Sequence, residues 1–369
     1  MRIASFNVEN LFDRAKALNT PRWADGRPAL EAHRALNDLF GKARYSADDK
    51  ARMLELLEGN GLLKSDEGEF LRLRKIRGAL LKRPRNGPVS IVAEGRSRWV
   101  GWVELKTEPV NERATENTAR VIQALAPDVL GVIEAEDRTT LRLFNQQMMP
   151  LIEAQPLEHV MLVDGNDERG IDVGLLTGAQ FPIRSLRSHV YDADAEGVIF
   201  SRDCAEYEVG LPDNRSLWVL VNHFKSKGYG TQAANDARRL RQARRVREIV
   251  DAHLAAGRDL VAVIGDMNDF PESQPLRPLL GSALKDVAAF AGYKDGGRPG
   301  THGNCTAKSK FDYILLSPTL FASVSAAGIE RRGMWGGTSG TLWERFPEVE
   351  APEHAASDHA GVWVELDLS

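Results

Sequence analysis

From residue 113 onward, apolar runs of strand length alternate with helix-patterned segments, and that alternation admits few folds besides a layered α/β domain. Residues 114–125 carry a helical pattern that stops before Pro127. Residues 128–134 form a short apolar run ending in Glu134, and residues 171–177 read as another strand. Residues 205–211 and 217–222 predict a hairpin across Pro-Asp-Asn-Arg-Ser. A long helix is expected over 236–254, capped by Asn235, with Gly257 just past its end and Leu240, Ala243, Val246, Val250 and Leu254 as its buried stripe. Strands follow at 260–265, 311–316 and 361–366, and residues 1–12 open the chain with one more. The Gly/Trp-rich piece 331–357 reads as a long loop.

Residues 14–112 have a different texture. Apolar residues at spacings of three and four in 54–57 and 70–81 predict amphipathic helices. Pro-Arg-Asn-Gly-Pro at 84–88 is a break, and 89–110 returns to a strand-like pattern around a turn near Glu94 and Gly95. The stretch from Phe70 to Arg98 carries nine basic residues against Glu94 alone within it. A charged helix surface is the commoner meaning of such a run, and a grip on a polyanion is the other.

At 43% apolar and 27% charged, the 369-residue chain has enough apolar residues for a sizeable core. Its net charge of -4 announces no global attraction to nucleic acid, although a local patch or a bound cation could supply it. Two cysteines, Cys204 and Cys305, make no disulfide framework and are expected to be reduced. Neither a signal-like apolar stretch nor a membrane-length run occurs, so a cytoplasmic location is expected, the more so because Asn7 reads as functional.

The chemistry concentrates where strands end. Val-Ala-Val-Ile-Gly-Asp-Met-Asn runs a buried strand out into Asp266 and Asn268, a carboxylate and an amide that can face one phosphate or one hydrated cation. Ser-Asp-His, just before the last strand, offers Asp358 as a hard oxygen ligand and His359 as a group able to move a proton near neutral pH. Asp312 stands among residues that read as buried, where a carboxylate needs a partner such as a histidine. Asn7, Glu134 and His223 each close a strand, and Lys225 follows His223 by two. Singly, each is an ordinary strand-end polar residue; their shared position carries the inference.

In this order, Asn7, Glu134, His223, Asp266-x-Asn268, Asp312 and Ser357-Asp358-His359 resemble the endonuclease/exonuclease/phosphatase superfamily, over residues 1–12 and about 113–369. The resemblance implies one domain over 1–369, a four-layer sandwich of two packed mixed β-sheets flanked by helices, with 14–112 inserted after the first strand. It also implies Mg²⁺ (or Mn²⁺) held by Glu134 with Asn7 and Asp358 nearby. Asp266, helped by Asn268, would orient or deprotonate the attacking water. Asp312 would hold His359 against the phosphate, and His223 would bind a phosphate oxygen or assist the leaving group. Lys225 and Arg169 or Arg202 would add substrate contacts. Which residue is the base stays open, as does the substrate: nucleic acid first, a small or lipid phosphate ester second. Glu134 follows Asn7 at a far greater distance than the few tens of residues usual for the family.

Overall fold

The computed structural model describes residues 1–18, 20, 23–167, 169–228 and 230–368, Trp23 by its backbone alone. The chain forms two compact units, Met1–Phe12 with Val110–Ser369, and Asp13–Pro109.

The larger unit is built on two mixed sheets. The first has seven strands, in the order Tyr293–Lys294, Val324–Glu330, Gly361–Leu366, Arg2–Asn7, Val129–Ala135, Asp172–Thr177 and His159–Leu162. The second has six, in the order Ile183–Arg187, Cys204–Gly210, Ser216–His223, Val261–Asp266, Asp312–Leu316 and Lys285–Asp286. Two of the pairings that frame the site are parallel: Arg2–Asn7 with Val129–Ala135, and Ser216–His223 with Val261–Asp266. They align the ends of those strands, so Asn7 pairs with Ile133 and His223 pairs with Asp266.

Both faces of these strands are buried, which is why they read as apolar runs rather than as alternating ones. Ile3, Val129, Ile133 and Val173 of the first sheet share one core with Val219, Val221, Ala262, Ile264 and Ile314 of the second. Their neighbours Ala4, Leu130 and Val132 face outward and pack with Val121, Ile122, Leu141 and Phe144 of the helices Glu112–Leu125 and Arg138–Leu151. On the far side, Leu220, Val261 and Val263 meet Ala243, Val246 and Val250 of the helix Gln232–Ala255. The result is helix, sheet, sheet, helix, the expected four-layer sandwich.

Gly265 lets the second sheet close beside the site. It sits at φ 129, and a Cβ there would stand 2.0 Å from the Asn222 carbonyl oxygen of the neighbouring strand. Gly265→Ala is therefore expected to destabilise the fold by at least about 1–3 kcal/mol, read as a fall in the urea midpoint. A midpoint equal to that of the native chain would contradict this reading of the strand pair.

Among its described residues, the smaller unit holds the helices Trp23–Phe40 and Ala47–Gly59 and three two-stranded ribbons, including Leu71–Arg77 with Val100–Leu105. Residues 70–81 are thus not the expected helix. Leu71 and Leu73 are buried beside the less buried Arg72 and Arg74, a period of two. Gly78 then turns the chain at φ 75. The chance spacing of Leu73, Ile76 and Leu80 imitated a helical stripe. Two corrections apply to the long helix as well. It begins at Gln232, with the Thr231 side chain accepting from the Ala234 amide as its cap. Asn235 lies inside the first turn, where its amide reaches the carbonyls of Lys227 and Gly228. Cys204 and Cys305 are both free and buried.

Candidate active site

Residues from at least five strand ends of the larger unit meet at one edge of the sandwich. Asp266 is at their centre and is 1% exposed. Its Oδ1 accepts from the Asn268 amide at 2.7 Å, and its Oδ2 accepts from Asn268 Nδ2 at 3.1 Å and Asn7 Nδ2 at 3.3 Å. Asn268 can make both bonds because its backbone is left-handed, at φ 51. Burial pushes the Asp266 carboxyl well up from the usual carboxylate range; His359 pulls it back, and Asp312 and Glu134 add to the rise.

His223 Nε2 lies 3.5 Å from Glu134 Oε1 and 3.7 Å from Asp266 Oδ2. Burial holds His223 well below its ordinary value, and Arg202 and Arg169 push in the same direction, so the imidazole is neutral. Its Nδ1 has no hydrogen-bond partner among the described residues. Glu134 stands at φ 67, a strained backbone for a long side chain, and one kept at functional sites.

His359 is the opposite case. Burial alone would lower it, but Asp312, Asp358 and Asp266 outweigh that and hold it well above its ordinary value, as an imidazolium. Asp312 Oδ2 accepts a hydrogen bond from Nδ1–H at 2.8 Å, leaving Nε2 aimed toward Asp266 Oδ2 at 3.9 Å and Asp358 Oδ1 at 3.8 Å. Ser357 ties this segment to the first strand: its hydroxyl donates to the Asn7 carbonyl at 2.7 Å and accepts from the His359 amide at 3.0 Å.

The expected residues therefore come together, with differences in placement. Glu134, His223 and Asp266 form one group whose ligand atoms lie within 4.8 Å of one another. Asp358 instead groups with His359 and His302, half-exposed, and its amide donates to Glu9 Oε2. The Lys225 ammonium is turned onto the carbonyls of Ser226 and Gly228. Arg202 is 2% exposed and donates to the Phe224 carbonyl, next to His223.

Four residues carry weight here without having been singled out in the sequence. Asp167 pairs with both Arg169 and Arg202, each at 2.7 Å, and those two guanidiniums hold its carboxyl far below the usual range against the opposing effect of burial. Arg239, fully buried in the long helix, pairs with Asp269 and donates to the Lys225 carbonyl, so it braces the loop after Asn268 from behind. The Thr301 hydroxyl accepts the amides of Phe311 and Asp312. His302 stands opposite His359. Asp167→Ala is expected to cost about 3–5 kcal/mol, since it leaves the Arg202 charge buried and unpaired; a urea midpoint unchanged in this variant would refute the assignment.

A model of the endonuclease/exonuclease/phosphatase family matches residues 95–294, more than half of the chain. No curated protein matches. Among solved structures, an endonuclease/exonuclease/phosphatase from Bacteroides vulgatus superimposes with a TM-score of 0.50 at 15% identity, over 70% of this chain and 91% of that one. A mannosyl-6-phosphatase from Bacteroides thetaiotaomicron is similar with a TM-score of 0.49 at 18% identity, over 69% and 92%. The human nocturnin catalytic domain is similar with a TM-score of 0.48 at 15% identity, over 71% and 89%.

Proposed function

This chain belongs to the endonuclease/exonuclease/phosphatase family, and on that premise we propose that it is a divalent-metal-dependent phosphodiesterase acting on nucleic acid. The observation that carries the hydrolytic part is the convergence of Glu134, His223, Asp266 and His359 at one edge. Burial lowers His223 while the carboxylates around His359 raise it, and perturbed groups of this kind cluster at functional sites.

The donor set fits a hard cation. Glu134 and Asp266 turn carboxylates toward one another across a neutral imidazole, and nothing in the group but His223 offers nitrogen. Such oxygen-rich surroundings suit Mg²⁺ or Mn²⁺ over zinc. Glu134 would hold the ion, with Asn7 beside Asp266. Bound there, the ion would neutralise charge on the phosphate and on the leaving oxygen.

The protein groups do the rest. Asp266, its two oxygens fixed by three N–H donors, orients the attacking water and takes its proton. The imidazolium of His359, steadied by Asp312, holds a phosphate oxygen and stabilises the charge that develops on it. Neutral His223 contacts a second phosphate oxygen, and the buried Arg202 adds a positive field behind it.

Nucleic acid is favoured by the basic stretch Phe70–Arg98, where Arg74, Lys75, Arg77, Lys82, Arg85, Arg96 and Arg98 are exposed. A small or lipid phosphate ester is the second reading, favoured by the net charge of -4. A panel of single- and double-stranded DNA and RNA, inositol phosphates, sugar phosphates and sphingomyelin, each with Mg²⁺, Mn²⁺ or EDTA, separates them. Metal-dependent cleavage of a nucleic acid supports the first reading, turnover of small or lipid esters alone selects the second, and turnover undiminished by EDTA defeats both. No helix among the described residues is long and apolar enough to cross a membrane.

A further inference from the structure

His302 is not needed for the chemistry above, yet it is built into the same edge. It forms an isolated antiparallel bridge with His359, framed by the Ala360 amide on the Thr301 carbonyl at 2.7 Å and the Gly303 amide on the Asp358 carbonyl at 2.9 Å. Facing residues of such a bridge bring their side chains together, and the two imidazole rings lie 4.7 Å apart. Phe311 stacks on His302 at 5.2 Å and fixes its plane. Asp358 reaches both rings: Oδ2 stands 3.2 Å from His302 Nε2, and Oδ1 stands 3.8 Å from His359 Nε2.

We propose that His302, Asp358 and His359 form a second metal site, suited to Zn²⁺ or Co²⁺, whose occupation switches the hydrolytic site off. Two imidazole nitrogens and one carboxylate are a donor set for borderline transition metals, whereas Mg²⁺ prefers oxygen and leaves it alone. The three ligand atoms already lie within 4.8 Å of one another. Asp312 on His359 Nδ1 supplies the carboxylate-to-histidine support that such ligands usually have. His302 and Asp358 are 36% and 49% exposed, so an ion can enter from solvent. Binding sends the Nε2 proton of His359 to solvent and ties up the nitrogen that would otherwise face the phosphate. The inhibitory consequence rests on the hydrolytic reading; the site itself does not.

The test uses the full chain and His302→Ala. In saturating Mg²⁺, Zn²⁺ is expected to inhibit the native chain, and His302→Ala to need about 10–100-fold more Zn²⁺ for half-inhibition, the scale set by losing metal-site support, each chain being scaled to its own turnover in Mg²⁺ alone. Directly, Co²⁺ is expected to give the visible absorption of a low-coordinate nitrogen–oxygen site in the native chain and in Glu134→Gln, and not in His302→Ala. A Co²⁺ spectrum or zinc sensitivity the same with and without His302, or no Co²⁺ band in the native chain, overturns the proposal. Should no phosphate ester be turned over, the hydrolytic reading fails while the Co²⁺ spectra still decide the site.

Discussion

Asp266→Asn will lower metal-dependent phosphoester turnover by about 10²–10⁴-fold while leaving the fold intact. The substitution removes the group proposed to take the proton of the attacking water and leaves a side chain of the same shape, whose one oxygen still accepts from Asn268. Stability should not suffer, because burial disfavours the charged form of Asp266. The sign follows from linkage. A carboxyl raised in the folded state binds more protons there than in the unfolded chain, so it erodes stability as pH rises above its unfolded value of about 3.9. Asn carries no such cost but has one oxygen where three N–H groups donate, so the two effects oppose and the melting temperature near pH 7 should change little. Rapid-quench turnover and thermal melts on the same preparation check both halves. A variant that unfolds, or one that retains native turnover, contradicts the role given to Asp266.

The second large effect belongs to the pair His359 and Asp312. Either His359→Gln or Asp312→Asn is expected to cost about 10²–10³-fold in turnover, and the double variant about the same as the worse single one, because the two act as a unit. The 2.8 Å bond between them makes Asp312 a positioning residue: it acts on the substrate only through His359. Its loss should also show in pH. With the Asp312 carboxylate gone, the main counterweight to burial disappears and the imidazolium is lost at lower pH. The alkaline limb of the rate profile in Asp312→Asn therefore moves to lower pH. An alkaline limb that stays in place, or losses that multiply in the double variant, would separate the two residues.

Much of the architecture could be read from the residues because of where the strands lie. Val261–Asp266 and Val129–Ala135 are covered on both sides, so nearly every position must be apolar until the strand emerges at Asp266 or Glu134. The polar residue at the end of such a run marks a sheet edge by physical necessity, which is why Asn7, Glu134, His223 and Asp266 stood out. The ribbon at Leu71–Arg77 had no such covering. Half-exposed, Arg-rich and short, it presented a pattern that two periods fit equally well, and the helical one was the wrong choice. Asp167, Arg239, Thr301 and His302 were invisible for a related reason. Their importance comes from what the fold brings to them from far along the chain: Asp269 lies 30 positions from Arg239, and Thr301 and His302 stand beside a His359–Asp312 bond that itself spans 47. Local composition around them is that of any loop or polar helix.

On the proposed function, distant strand ends form one cation-binding centre led by Glu134. Mn²⁺ binding, followed by electron paramagnetic resonance in the His302→Ala background so that only this centre is read, tests it most directly. Glu134→Gln is expected to weaken Mn²⁺ binding by at least about tenfold with an unchanged melting temperature. Equal Mn²⁺ affinity with and without the Glu134 carboxylate would contradict it.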